Sequence, residues 1–145
     1  MSIMSSLPKY AVLAVVVGGV GVSLWQIAGP GGSDTGTVGE VRVPELSTAA
    51  LEGRDVFEGV CADCHGATAA GTDKGPPLVH PIYNPGHHSD EAFFRAAESG
   101  SPQHHWRFGN MPPQPEVSRE EVAKIVRYVR ELQRANGIEP QPHKM

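Results

Sequence analysis

Cys61-Ala62-Asp63-Cys64-His65 is the stretch of sequence that decides the fold. Two cysteines three positions apart, with a histidine directly after the second, form the pattern of a covalent c-type haem attachment site. Each thiol would form a thioether with one vinyl group of the porphyrin, and His65 would then be placed as the proximal ligand of the iron. The motif therefore predicts one covalently attached haem c.

Two other kinds of site use a pair of cysteines at this spacing, a structural zinc site and a redox-active disulfide. A structural zinc site needs four ligands, and the whole chain has two cysteines. A thioredoxin-like dithiol is expected within a βαβ unit, and the sequence has no such pattern. We therefore favour haem attachment at Cys61 and Cys64.

A haem iron that carries electrons without binding substrate needs a second axial ligand, for which a thioether is well suited. Met111, in Gly109-Asn110-Met111-Pro112-Pro113, is the predicted donor. Of the other three methionines, two precede an apolar N-terminal segment and one ends the chain. His104 and His105 are the alternative ligands.

Four separated features make residues 44–138 resemble the class I c-type cytochromes. They are the attachment motif, the segment Gly75-Pro76-Pro77-Leu78, Met111 followed by Pro112, and a Gly53 and Phe57 pair that faces a later Tyr128. The resemblance implies an all-α fold, a small helical haem domain with long loops. It also implies that the first and last helices cross at Gly53, and that the carbonyl of Pro76 orients the ring of His65.

The resemblance further implies an electron carrier rather than an enzyme. Its partners would be respiratory or photosynthetic membrane complexes, such as a quinol:cytochrome c oxidoreductase and a terminal oxidase. One feature of the mitochondrial type is missing, the lysine-rich front face. After the apolar N-terminal segment the chain has three lysines, at positions 74, 124 and 144.

Composition agrees with a chain that needs a prosthetic group to complete its core. The 145 residues include 17 glycines and 13 prolines, and 6% are aromatic. Such a chain has little apolar surface of its own to bury, and a porphyrin would supply a large apolar body. The formal net charge of −4 argues against nucleic acid as a partner, since nucleic-acid binding requires a basic surface.

An uncharged apolar run at residues 11–25 predicts a membrane helix. Tyr10 and Trp25 stand at its ends in the manner of interfacial anchors, and residues 10–28 are close to the roughly 20 needed to span a bilayer. We predict an uncleaved signal-anchor there, with a cleaved signal peptide as the alternative.

Charge and composition around that run predict the topology. Lys9 lies on the N-terminal side, so the positive-inside rule places residues 1–9 in the cytoplasm. The haem domain would then lie in the periplasm, on a chain anchored in a bacterial inner membrane. Residues 29–43 are Gly-rich without helical periodicity and predict a flexible linker. Residues 139–145 are predicted to be a tail.

Three helices are predicted within the haem domain. The first covers residues 44–60, with Ser47 or Thr48 as its cap. The second covers residues 89–99 and ends at Gly100. The third begins with the capping box Ser118-Arg119-Glu120-Glu121 and ends at Asn136-Gly137. We expect its three later arginines to lie on a solvent-exposed face: Arg127, Arg130 and Arg134.

Two further groups of residues are expected to contact the haem. The second helix offers an apolar side to the haem edge: Phe93, Phe94, Ala96 and Ala97. The loop after it contains Trp106 and Arg107, and either the indole N–H or the guanidinium could bind a haem propionate, which is otherwise a costly buried charge.

Five histidines fall within 26 residues and are not explained by haem attachment: His80, His87, His88, His104 and His105. Imidazole is a good ligand for copper, zinc and nickel. We hypothesise a second, non-haem metal site with copper preferred; propionate hydrogen bonding and ordinary surface polarity are the alternative explanations. Three functions therefore stay open: a tethered electron carrier, a redox partner in copper handling, and a haem subunit of a larger oxidoreductase.

Overall fold

The computed structural model describes residues 39–141, and these form helices joined by long loops. The helices are α1 (Thr48–Val60), α2 (Ala62–His65), a 3-10 helix (Pro81–Tyr83), α3 (Asp90–Ser99) and α4 (Arg119–Ala135). This part of the chain contains no named strand, and an isolated antiparallel bridge joins Ser101 to Met111. The all-α prediction is confirmed over this range.

The membrane prediction concerns residues that the structure does not describe. The proposed cytoplasmic segment 1–9, the span 10–28 and most of the linker 29–43 precede residue 39. Among residues 39–141, no helix has the length and apolar character required to cross a membrane.

Helix α1 begins later than predicted, at Thr48 rather than in the region of Pro44. Ser47 is the cap, and its hydroxyl accepts a hydrogen bond from the backbone N–H of Ala50 at 3.3 Å. Ser47 also binds Glu131 of α4: its backbone N–H and its hydroxyl donate to the two carboxylate oxygens at 3.0 and 2.7 Å. The cap therefore also ties the start of α1 to the last helix.

Helices α1 and α4 cross at Gly53, as the resemblance implied. A Cβ atom added at Gly53 would lie 2.0 Å from the carbonyl oxygen of Lys124. One turn further along α1, the ring of Phe57 packs edge-on against Tyr128, with centroids 5.4 Å apart. The hydroxyl of Tyr128 donates to the carbonyl of Ala67 at 2.7 Å, so this crossing also anchors the loop after the attachment motif.

Helix α4 has the predicted capping box and ends as predicted, but its arginines do not share one exposed face. Arg130 is buried, with 6% of its surface exposed. Its guanidinium donates to Asp90 at the start of α3 at 2.8 Å and to the carbonyl of Tyr83 at 2.9 Å. The exposed-face prediction is wrong for Arg130 because the loop before α3 folds over it and offers carbonyl oxygens to its five donors.

Contacts of the domain extend beyond its predicted bounds of 44 and 138. At one end, the backbone N–H of Arg42 donates to the side-chain oxygen of Asn136 at 2.9 Å, and the side-chain amide of Asn136 donates to the carbonyl of Arg42 at 2.8 Å. At the other end, Ile138 is buried and the backbone N–H of Gln141 donates to the side chain of Asn84 at 3.3 Å. Both terminal segments are thus held against the helices.

Candidate haem site

In the attachment motif, Cys61 caps the end of α1, and the other four residues form the single turn of α2. Cys61 is half-buried and Cys64 is exposed, and the two are not joined in a disulfide. Burial raises the pKa of the Cys61 thiol to about 11, with smaller contributions from Cys64 and Glu116. Before haem attachment, burial therefore favours the protonated form of this thiol at neutral pH.

His65 is buried and has a fixed tautomer. Its Nδ1 lies 2.8 Å from the carbonyl oxygen of Pro76, and because a carbonyl can only accept, Nδ1 carries the proton. Nε2 is then left with its lone pair, as required of a metal ligand. Burial lowers the pKa of His65, opposed in part by the bond to Pro76, so the ring is neutral at pH 7.

The loop that presents Pro76 is clamped onto the attachment turn. The hydroxyl of Thr72 donates to the carbonyl of Cys64 at 2.6 Å, and Lys74 forms an ion pair with Asp63 at 2.8 Å. A Cβ atom at Gly75 would lie 2.9 Å from the carbonyl oxygen of Cys64. These contacts explain how a loop without regular structure holds one carbonyl oxygen at a defined distance from His65.

Met111 is positioned by the antiparallel bridge that closes the loop after α3. Its backbone N–H donates to the carbonyl of Ser101 at 2.9 Å, and the N–H of Ser101 donates back at 3.0 Å. Gly100, which ends α3, has a φ of 76° and lies so close to Met111 that a Cβ atom would be 2.5 Å from the Met111 carbonyl oxygen. The end of α3 therefore determines where Met111 lies.

A cavity of about 700 Å³ lies between these elements, within the range of roughly 300–1,000 Å³ that is typical of cofactor sites. His65 and Met111 both line it, together with Cys61 and Pro76. Apolar side chains form much of the remaining wall: Phe57, Leu78, Phe93, Ala96, Val122 and Ile125. The polar part of the wall includes four histidines from the loops: His87, His88, His104 and His105. A nitrogen and a thioether donor facing an apolar space form a set that suits a His/Met-ligated haem.

Trp106 also lines the cavity, and its indole nitrogen is buried without an acceptor in the described part of the chain. The indole lies close enough to the phenol oxygen of Tyr83 to lower the pKa of that phenol, against the larger rise caused by burial, but not in the geometry of a hydrogen bond that would satisfy its N–H. An orphaned buried N–H costs about 1–3 kcal/mol. A carboxylate of a bound group, such as a haem propionate, would satisfy it.

Two of the residues expected near the haem lie elsewhere. Arg107 is exposed and is not among the described residues that line the cavity. Phe94 also lies outside the lining; its ring faces the guanidinium of Arg119, which stands 4.2 Å from the ring centroid. The prediction for Phe94 is wrong, because it lies on a different side of α3 from Phe93; of the two alternative propionate partners, Trp106 lines the cavity and Arg107 does not.

A comparison with family models decides the family. The model described as Cytochrome c matches residues 50–133. The chain belongs to the cytochrome c family. No curated protein and no solved structure gave a match. The cytochrome c domain binds covalently attached haem c, with Cys61 and Cys64 in the attachment arrangement, and it supports a haem-based role in electron transfer.

Sequence reasoning missed the polar residues that support the cytochrome's loops. Gln133 is buried; its amide donates to the carbonyls of Leu78 and Tyr83 at 2.8 and 3.1 Å, and its oxygen accepts from Arg130 at 2.7 Å. A glutamine among the buried positions of α4 was the available signal, since glutamine is mostly exposed in proteins unless it is bonded.

Proposed function

We propose that this chain is a membrane-tethered mono-haem cytochrome that carries single electrons between respiratory or photosynthetic membrane complexes. A quinol:cytochrome c oxidoreductase is the proposed donor and a terminal oxidase the proposed acceptor. The observation that carries the proposal is that His65 and Met111 line one cavity. The haem, when bound, supplies a one-electron iron couple.

Each of the two axial residues has a defined task in this function. His65 offers Nε2 to the metal while its Nδ1–H is held by Pro76 at 2.8 Å, which fixes the ring and strengthens it as a ligand. Met111 offers a thioether, which favours the reduced metal and raises the potential. When His65 and Met111 both bind the iron, no coordination site would remain for a substrate, which supports a carrier rather than an enzyme.

The protein around the cavity supports the same task. Apolar side chains from α1, α3 and α4 exclude water, and Trp106 offers a buried N–H to a propionate. A dry, rigid site favours electron transfer because few dipoles must reorient when the charge changes. Electrons would enter and leave on the side of Cys64, which is the more exposed of the two attachment cysteines.

Tethering is proposed from the sequence of residues 10–28, as a signal-anchor in a bacterial inner membrane with the haem domain in the periplasm. Because Val41 packs against the core and Arg42 is bonded to Asn136, the predicted linker of residues 29–43 is shortened to residues 29–40. A flexible linker of that length has an end-to-end distance of about 20 Å, which would keep the haem near its partners at a high effective concentration. Attraction through surface lysines would then matter less.

Replacement of the sixth ligand tests the ligation. In the haem-loaded protein, we expect Met111→Ala to abolish the ferric sulfur–iron absorption band and to lower the reduction potential, whereas Met145→Ala in the tail leaves both unchanged. An unchanged spectrum in Met111→Ala would contradict the assignment and move the sixth ligand to His104 or His105.

Membrane extraction tests the tether and separates the carrier from a permanent subunit. We expect the full chain to remain in the membrane fraction after a high-salt wash, and a form that starts at residue 29 behind a cleavable leader to be released. After detergent extraction, the carrier should migrate as a single small protein with its haem. Co-migration with stoichiometric partners would instead support a haem subunit of a larger oxidoreductase.

A further inference from the structure

Four of the five histidines that haem attachment leaves unexplained come together in space. His87 and His88 follow the 3-10 helix, while His104 and His105 lie on the loop that Ser101 and Met111 close. Their rings are in contact across the two loops: the centroids of His87 and His105 are 5.3 Å apart, and those of His88 and His105 are 5.1 Å apart. Residues 18 positions apart in the chain thus form one cluster, which lies on the wall of the haem cavity.

The nitrogen atoms within this cluster are spaced as metal ligands are. One ligand nitrogen from each of His87, His88 and His105 lies within 4.8 Å of the other two, and Nε2 of His87 lies 3.3 Å from Nε2 of His105. Two nitrogens bound at 2.0–2.1 Å to one tetrahedral ion are about 3.3–3.4 Å apart. The observed separation therefore fits two imidazoles that share an ion, and without an ion the same two nitrogens form an N–H···N hydrogen bond.

The tautomer of His88 is set for metal binding. Its Nδ1 lies 2.8 Å from the carbonyl oxygen of Ile82, so Nδ1 carries the proton and the lone pair is on Nε2. A ring N–H held by a backbone carbonyl is the usual support of a metal-bound histidine. His80 has the opposite arrangement, because its Nδ1 accepts the backbone N–H of Ile82 at 3.2 Å.

Two rings of the cluster, those of His88 and His105, favour the neutral form. Burial lowers the pKa of His88, and the positive charges of neighbouring histidines and Arg130 lower it further. Burial and the three other histidines of the cluster likewise lower the pKa of His105. Neutral imidazole is the form that binds metals.

The backbone under the first histidine pair is fixed before any ion binds. The N–H groups of His87 and His88 donate to the carbonyl of Asn84 at 3.0 and 2.8 Å, and the Asn84 side chain accepts from Gly86 at 2.9 Å. Arg130 of α4 donates to the carbonyl of His88. Such support from buried residues is what keeps a metal site in its binding geometry.

The loop of the second pair is also closed on itself. The backbone N–H of Gln103 donates to the side chain of Asn110 at 2.9 Å, and the Gln103 side chain accepts from the N–H of Gly109 at 2.8 Å. His104 stands beside His105, with ring centroids 4.3 Å apart, and its Nδ1–H is bonded to the carbonyl of Pro102 at 2.7 Å.

We propose that His87, His88 and His105 bind a second metal in addition to the haem, a divalent first-row transition-metal ion of the copper and zinc type. Three imidazoles leave a fourth position for His104 or for water. The general order of affinities places Cu²⁺ above Zn²⁺, while three histidines with one open position also form a known kind of zinc site.

The test uses the full-length, haem-loaded protein in detergent after dialysis against EDTA. Zn²⁺ and Cu²⁺ are added in separate experiments at pH 7, and bound metal per haem iron is measured after desalting. We expect one added ion per chain, and for Cu²⁺ an electron paramagnetic resonance spectrum with nitrogen hyperfine structure. We expect His105→Ala, at an exposed position, to weaken binding at least about tenfold.

His80→Asn is the matched control, since it also removes one histidine and asparagine can replace the capping role of His80. It should retain the ion. If neither ion is retained by the unaltered protein, or if His105→Ala binds as tightly as His80→Asn, the second site does not exist. A changed haem spectrum in His105→Ala without loss of a second ion would also overturn the proposal, by assigning that histidine to the haem iron.

Discussion

Adding one methyl group at Gly53 tests the helix crossing on which the haem site rests. In Gly53→Ala the new Cβ would lie 2.0 Å from the carbonyl oxygen of Lys124 and 2.4 Å from its carbonyl carbon. Both are backbone atoms of α4 and cannot rotate away. The helices must move apart by about 1 Å to bring the closest contact to 3.0 Å, which loosens the packing of Phe57 on Tyr128.

Two opposing effects decide the magnitude. Overpacking of this kind costs typically 1–3 kcal/mol, and the upper end applies because two backbones collide. Alanine is favoured over glycine in a helix by about 1 kcal/mol. We therefore expect the free energy of unfolding to fall by about 2 kcal/mol, which lowers Tm by roughly 8–16 °C in a domain of this size.

Gly59→Ala is the control in the same helix. A Cβ atom there has no heavy atom of the described residues within 4 Å, so the helix preference of alanine should leave the protein unchanged or raise its stability by up to about 1 kcal/mol. Thermal unfolding of both haem-loaded variants is followed by far-UV circular dichroism and by haem absorption. Equal Tm values for the two variants would refute the account of the crossing.

Three further outcomes are expected of the haem-loaded protein. Arg130→Met should lower the free energy of unfolding by about 2–3 kcal/mol, because buried carbonyls lose a charged donor. Arg127→Met, at an exposed position, should change it by less than about 0.5 kcal/mol. Denaturant titration measures both variants, and equal effects would contradict the buried role of Arg130. Burial raises the pKa of Glu131, but hydrogen bonds from Ser47 outweigh this and hold it below its ordinary 4.5. The contribution of the Glu131 carboxylate to stability is thus present above pH 4.5 and is lost as the pH falls through its lowered pKa. The loss of stability in Glu131→Gln should therefore become smaller as the pH is lowered in a series of denaturant titrations. A loss that does not change with pH would contradict this role of Glu131. Trp106→Phe should lower the reduction potential in a redox titration, because a propionate without its N–H donor leaves more negative charge near the iron; an unchanged potential would show that the indole does not contact the haem.

The local features of the chain could be predicted because short-range chemistry determines them. The attachment motif, the capping box at Ser118 and the glycine that ends α3 each act within one turn of helix, and the structure has them at the predicted places. The crossing at Gly53 was predictable for a different reason. The resemblance to the class I c-type cytochromes implied it. The cost of a glycine inside a helix, about 1 kcal/mol, would not have been enough, because Gly59 of the same helix has no described heavy atom within 4 Å of an added Cβ.

The tertiary structure alone decided which polar side chains are buried and which distant residues meet. Arg130 has the same charge as Arg127 and lies on the same helix, yet it is buried because the segment from Tyr83 to Asp90 folds over it and offers acceptors. The histidine cluster likewise depends on two loops that are fixed by Asn84 and by the bridge between Ser101 and Met111. Helical periodicity and motif spacing depend on residues that lie within a few positions of one another, so they predict local structure only. The path of a long loop is set by hydrogen bonds between residues far apart in the chain, and no local pattern specifies them.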